Sequence, residues 1–387
     1  MPFQRSVKPA AAPVIWRIAI DARTVLGAKT GDRTYTLNLL RGLQQTEALW
    51  QGAFAFDLLL DAPDTAQILP QCAGFATHVI AAKNSRLWTL YAMPKWAWAH
   101  RPDLVHVHYL RPGALPCPFV TTIHDVVWRV LPRTFPARDR AIMNTLMPIS
   151  AFSARRILTV SQASKNGIAR ALRVSPQKID VTPNAVDARF FEPVSAARIE
   201  DLRRKYDLGT APYVLSVGVL QPRKNLPRLI SAFQKLQRAR ADFPFNLVIT
   251  GKPGWGADAD LSSKNPHIRF TGYVLDEELP ALYAGASVFA YPSLYEGFGL
   301  PVIEAMAAGC PVLTSNRSSL PEITGDAGIK IDPYRTDAIA QGLAILLDDE
   351  ALHEQFSERG RVWAARFTTQ NQAQKTLESY RRALQHS

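Results

Sequence analysis

The chain has 387 residues, 47% of them apolar, the length and composition of a globular protein with two domains, each large enough to bury a core. Its formal charge of +12 is one-sided: residues 1–190 hold 23 Lys/Arg against 11 Asp/Glu, and residues 191–387 hold 22 against 22. Cys72, Cys117 and Cys310 lie far apart, which excludes a disulfide framework or zinc site, and no apolar run reaches the roughly 18 residues of a membrane span.

Taken in order, residues 1–13 read as a disordered tail without the apolar core of a signal peptide, so the expected home is the cytoplasm. Arg17 to Asp21 is a first strand, and a loop through Gly27, Thr30 and Gly31 leads to a helix from Thr34 to Leu43. Strands follow at Phe54 to Leu60, with apparent alternation, and at Ala76 to Ala81. Arg86 to His100 is a helix interrupted at Pro94; Leu104 to His108 and Phe119 to His124 are strands. Ile157 to Ser161 runs into a helix capped by Ser161, and Lys178 to Thr182 closes the first half. A mixed linker with a charged helix (Ser195 to Tyr206) opens the second half. There the alternation repeats: strands at 213–219, 246–250, 267–271, 287–291, 310–314 and 329–331, and helices at 226–238, 276–283, 302–308, 338–347, 353–367 and 370–384. Ser319-Leu-Pro-Glu322 has capping-box spacing. This predicts an α/β chain with two doubly wound parallel sheets facing across a cleft. The domains are 1–190 and 191–367, with a final helix in 368–387 that packs back on the first.

The most informative stretch is Ser293-Leu-Tyr-Glu-Gly-Phe-Gly-Leu-Pro-Val-Ile-Glu304. A strand, a glycine loop and a helix N-terminus make a phosphate-sized nest from Gly297, Phe298, Gly299 and Leu300, and Glu296 and Glu304 stand ready for hydroxyls. Gly218 to Asn225 is its companion, because Arg223 and Lys224 at a strand end can neutralise a diphosphate without a metal. His124 ends a first-half strand facing the cleft, and Gly31 aims another helix N-terminus there. His106 and His108 share a strand face, but nothing is spaced to complete a metal site. The chain has no G-x-G-x-x-G and no Walker loop.

From Tyr291 to Val312 (YPSLYEGFGLPVIEAMAAGCPV) the chain resembles the Glu, seven residues, Glu signature of the retaining glycosyltransferases of family 4. Pro222 to Asn225, Thr122 to Asp125, Thr159 to Ser161, Gly272 to Val274 and Pro321-Glu322 are similar to the same family. The resemblance implies the two-Rossmann GT-B architecture and transfer of a hexose, best guessed as mannose from GDP-mannose, with retention and without cofactor or metal. By it, Glu296 holds the donor sugar, Glu304 the ribose, Arg223 and Lys224 the diphosphate, and the backbone near Val274 the base; His124 approaches the sugar. It departs from the family at Asp32, where many relatives read Gly-Ile-Gly, and at Ala185 and Val219. The implied partners are a nucleotide-sugar donor and a glycan or lipid-linked acceptor of the cell envelope, not nucleic acid. The basic first half adds an anionic membrane surface met peripherally; the three Trp among the cations of 83–101 suit such an interface if they face outward, while a core-facing helix would pack them against the first sheet. A nucleotide-sugar epimerase and a non-catalytic sugar-nucleotide binder remain open as alternatives.

Overall fold

The computed structural model describes residues 14–27, 30–254 and 265–385; the tail at 1–13 lies outside the described residues. The first sheet holds seven parallel strands: β1 (Trp16–Asp21), β2 (Phe54–Leu60), β3 (Phe75–Val79), β4 (Leu104–His108), β5 (Phe119–Thr122), β6 (Arg156–Thr159) and β7 (Ile179–Val181). Their order is β3-β2-β1-β4-β5-β6-β7. The second sheet holds six: β8 (Tyr213–Val217), β9 (Asn246–Thr250), β10 (Ile268–Gly272), β11 (Val288–Tyr291), β12 (Val312–Ser315) and β13 (Ile329–Ile331), in the order β10-β9-β8-β11-β12-β13. Each sheet reverses its winding once, between β1 and β4 and between β8 and β11. At such a reversal the loops from the strand ends diverge and leave a crevice.

The inner strands are covered by helices on both faces and are apolar on both, while the edge strands β3 and β10 are partly exposed. The alternation expected for β2 is absent: six of its seven residues are buried, as a central parallel strand requires. Helix Arg86 to His100 is not broken at Pro94. Instead one wide π turn, Trp88–Ala92, precedes the regular Met93–His100 segment and lets the helix pass Pro94 without a break. Helix Ala137–Ser153 has no counterpart in the sequence reading; only Met147, Ser150 and Ala151 of its side chains are buried, so its apolar face carries little periodic signal. Ser319 and Glu322 form no capping box: the Ser319 side chain does not cap its own helix, and both residues bind elsewhere. Of the tryptophans at 83–101, Trp88 and Trp96 are in the core and Trp98 is 49% exposed.

The last helix, Thr369–Leu384, crosses back onto the first domain and packs along helix Gly31–Gln45. Tyr380 Oη shares a 2.7 Å hydrogen bond with His106 Nδ1, and Gln372 donates to the Tyr35 carbonyl at 3.1 Å. Ser379 and Arg382 donate to Asp180 at 2.7 Å each. The two helices meet at Gly42, where an added Cβ would stand 2.0 Å from the Thr369 carbonyl oxygen. Gly42→Ala gains helix propensity of about 1 kcal/mol but overpacks this seam by about 1–3 kcal/mol. We expect a lower Tm by calorimetry; an equal or higher Tm would mean that the seam yields.

Candidate functional site

The two reversals face each other across a cleft of about 640 Å³. All of the residues singled out in the sequence line it: Gly31, His124, Arg223, Lys224, Val274, Glu296, Gly297, Phe298, Gly299, Leu300 and Glu304.

The loop after β11 reaches helix Leu300–Ala307 through Gly299, whose φ of +113° an L side chain rarely adopts. Gly297 is required for another reason. A Cβ there would stand 2.9 Å from both Asp125 Oδ2 and the His124 carbonyl oxygen, so the two domains touch through bare backbone. Ser161 and Ser164 of the first domain donate to the Gly297 carbonyl at 2.7 and 2.9 Å. Ser319 donates to the Glu296 and Phe298 carbonyls at 3.0 and 2.7 Å. Glu322 reaches across and accepts from the N–H groups of Gln162 and Ala163, at 2.9 and 3.1 Å. It thus caps a helix of the other domain rather than its own, a partner chosen by tertiary structure that local spacing cannot reveal.

Inside this frame Glu296 is buried between two cations, with Arg223 Nη1 at 2.5 Å from Oε2 and Lys224 Nζ at 2.8 Å from Oε1. Arg223 also donates to Gln221 Oε1 at 2.9 Å and to the Tyr295 carbonyl at 3.2 Å, and Lys224 donates to Tyr291 Oη. Burial alone would raise the Glu296 carboxyl, but the adjacent Arg223 and Lys224 charges outweigh it and hold it down at about 2. Burial, helped by Arg223, pushes Lys224 down to about 8 despite Glu296. Arg223 is desolvated too, yet Glu296 holds it above its usual range. Two cations and one carboxylate leave a net positive charge at the mouth of helix Leu300–Ala307, a place suited to an anion. Glu304 is buried further in, where Tyr283 Oη donates to it at 3.0 Å.

The first-domain wall is different. His124 stacks on His108 (centroids 6.2 Å apart) and meets Tyr35 edge-on at 4.9 Å. Burial pushes its imidazole down to about 4, so it is neutral at pH 7. His106 and His108 are tied to hydroxyls, His106 to Tyr380 and Thr122 and His108 to Thr36. Asp32, Tyr109, Asp125, Tyr291 and Lys252 also line the cleft and were not assigned from sequence. Asp125, Tyr291 and Lys252 follow or end strands, so reading every strand's carboxyl end would have found them.

Two doubly wound domains with a cationic cradle at facing reversals define an enzyme class that handles phosphorylated ligands. Residues 33–190 match the family described as Glycosyltransferase Family 4, and residues 198–363 match Glycosyl transferases group 1. O-antigen chain mannosyltransferase B of Escherichia coli is 38% identical over 268 residues, 68% of this chain and 70% of that protein. Serotype-specific mannosyltransferase WbdA of Escherichia coli is 30% identical over 241 residues, 60% of this chain but 29% of that longer protein. Among solved structures, Anabaena Alr3699/HepE in complex with UDP and glucose shares the fold with a TM-score of 0.71 at 17% identity, over 95% of this chain and 99% of that one. WaaG, a glycosyltransferase involved in lipopolysaccharide biosynthesis, has a TM-score of 0.66 at 16% identity, over 94% and 98%. The chain belongs to the family 4 glycosyltransferases of GT-B fold.

The Lys224 environment sets a pH dependence. Its ammonium is charged below about pH 8 and neutral above, so affinity for a nucleoside diphosphate whose own terminal phosphate is fully ionised, above about pH 7, is expected to hold up to that point and to fall above it with a slope of about one proton. Titration calorimetry from pH 6 to 10 checks this. In Lys224→Arg the limb disappears, because guanidinium stays charged; a limb unmoved in that variant would assign it to another group.

Proposed function

We propose that this glycosyltransferase transfers mannose from GDP-mannose, with retention at the anomeric carbon and without a metal, to a saccharide or lipid-linked acceptor in cell-envelope glycan synthesis. The observation that carries the reading is the Arg223–Glu296–Lys224 cluster at the helix N-terminus. Charge in such a transfer develops on the departing diphosphate, and fixed cations aimed there lower the barrier most. They supply the charge that a divalent ion would otherwise bring.

Retention by a covalent sugar-enzyme intermediate needs a free carboxylate beneath the anomeric carbon. Glu296 has both oxygens engaged by cations and a depressed pKa, which makes it a weak nucleophile. That favours attack on the face the diphosphate leaves, with a phosphate oxygen taking the acceptor's proton while Glu296 holds sugar hydroxyls. Glu304 then holds the ribose and the backbone at Val274 the base. The mannose assignment is supported by the relatives, among them the GDP-mannose-dependent alpha-(1-6)-phosphatidylinositol monomannoside mannosyltransferase of Mycobacterium tuberculosis, 32% identical over 254 residues, 62% of each protein.

A thermal-shift screen of nucleoside diphosphate sugars in excess EDTA tests donor and metal together. GDP-mannose at a hundred times its dissociation constant stabilises by about 2.7 kcal/mol. A shift with UDP-sugars alone overturns the donor, and turnover that stops in chelator and returns with magnesium overturns the metal independence.

The membrane part of the reading rests on the surface at 83–101. Among the described residues no helix is long and apolar enough to cross a membrane. Leu87, Leu90, Tyr91 and Trp98 are exposed there beside exposed Lys83, Arg86, Lys95 and Arg101, apolar groups ringed by cations as at a bilayer surface. Sedimentation with phosphatidylglycerol vesicles at low salt, weakened by Leu90→Glu and by high salt, is the expected result. No sedimentation at low salt would remove the membrane from the proposal.

A further inference from the structure

The glutamate loop is anchored peptide by peptide, and one of those peptides is held from the other domain. The Glu296 N–H donates to Ser318 Oγ at 2.9 Å, and Ser319 donates to the Glu296 and Phe298 carbonyls, so these groups are fixed within the second domain. The Gly297 carbonyl is the exception. It accepts from the hydroxyls of Ser161 at 2.7 Å and Ser164 at 2.9 Å, both buried at the start of the first-domain helix Gln162–Leu172. Glycine restrains its own backbone least, so the direction of this carbonyl depends on those two hydroxyls.

That direction matters because of the group on the far side of the same peptide. Among the described residues no peptide bond is cis, and in a planar trans peptide the carbonyl and the following N–H point opposite ways. Seating the Gly297 carbonyl on the serines therefore turns the Phe298 N–H away from them. This N–H has no hydrogen-bond partner among the described residues, although Phe298 is only 4% exposed and lines the cleft. Buried N–H groups are rarely left unpaired. Here the unpaired one stands between Glu296, held by its two cations, and the N-terminus of helix Leu300–Ala307, where an anion fits.

Glu322 keeps the serines within reach. Its carboxylate accepts the first two N–H groups of their helix, Gln162 at 2.9 Å and Ala163 at 3.1 Å, on the exposed rim of the domain contact. We propose that Ser161, Ser164 and Glu322 are positioning residues for the transfer: they turn the Gly297–Phe298 peptide so that its N–H donates to a phosphate oxygen of the donor as charge develops there. None of the three lines the cleft itself. The diphosphate site of the second domain is thus complete only while the first domain is seated on it. This rests on the transferase reading above and adds to that site a donor group whose aim its own domain does not set.

The test pairs hydrogen exchange with kinetics on the full chain, with GDP-mannose as donor and GDP as binding probe. Ser161→Gly removes one hydroxyl but keeps a tolerated helix cap, and Ser164→Ala removes the other. In the wild type GDP-mannose should slow amide exchange at Phe298, and in the double variant that slowing should be lost. Its kcat should fall about 10- to 100-fold, approaching the loss of one such donor, while GDP affinity by titration calorimetry stays within about twofold because Arg223 and Lys224 remain. Glu322→Gln alone should lower kcat about 3- to 10-fold, the worth of one hydrogen bond, and should add less than about twofold to the double variant, because all three side chains act through one contact. A merely structural role would lower Tm and leave kcat per folded molecule and the exchange response as they were. That result, effects that multiply, or no slowing at Phe298 in wild type that binds the donor overturns the proposal. Failure of the transferase reading would appear separately, as absence of any donor thermal shift in the unaltered protein.

Discussion

The buried contact of Glu296 with Arg223 and Lys224 is the constraint on which the rest of the structure turns. Taking charges out of water costs several kcal/mol each, and a pair is tolerated only when geometry and further hydrogen bonds satisfy it. Every neighbour here serves that need. Gln221 and the Tyr295 carbonyl accept from Arg223, Tyr291 accepts from Lys224, and Ser318 Oγ accepts from the Glu296 backbone N–H at 2.9 Å. The cluster still carries one positive charge too many. An arriving anion would complete it by sharing the two cations, while Glu296 stays held between them with its remaining lone pairs free for hydroxyls of the group the anion carries.

Such a cluster must be assembled from two loops that lie far apart in sequence, and the sheet order does this. β8 and β11 are neighbours at the reversal, so the loop after β8 and the loop after β11 leave the sheet side by side. Their backbones are joined where the Leu294 N–H donates to the Arg223 carbonyl at 2.7 Å, and Asn225 donates to the Pro292 carbonyl at 3.1 Å. The first domain is held against them at Gly297 and Glu322, and the last helix clamps that domain from behind through Tyr380 and Asp180. From Tyr380 a row of imidazoles, His106, His108 and His124, leads forward to the cleft. The carboxyl-terminal helix is thereby linked, through three successive rings, to an imidazole that lines the cleft.

Much of this was legible in the sequence, for identifiable reasons. Parallel strands buried on both faces read as short apolar runs, and turn residues divide them cleanly. Glycines beside paired carboxylates mark the site because backbone must pass close to a ligand or another domain, as it does at Gly297. What stayed hidden depends on partners that are remote in sequence. Helix Ala137–Ser153 exposes Leu146, Ile149 and Phe152, the last 80% exposed, so its buried stripe is too thin to recognise. Glu322 looks like a local cap and serves residues 160 positions away. Trp88 and Trp96 stand among lysines and arginines, where sequence fits core and interface alike, and the sheet takes both. Asp32 was noticed as a departure from the family pattern, but its contacts with Tyr109 and His124 come only from the fold.

The charge imbalance of the chain takes a different meaning once the cleft is seen. The first domain holds all of the excess positive charge, yet the wall it presents to the cleft carries Asp32 and Asp125, and burial raises the Asp125 carboxyl. Among the described residues its lysines and arginines lie elsewhere, as at Lys83, Arg86, Lys95 and Arg101 around exposed apolar groups, and at exposed Arg133, Arg138 and Arg155. Salt screens surface charges over distances beyond about 10 Å, so cations that far from the cleft would do little for a ligand in it. A large anionic surface meeting the outer face would feel them most, as the membrane reading above proposes. The sign of the cleft wall and the sign of the outer surface are thus set separately in one domain, which a uniformly basic domain would not allow.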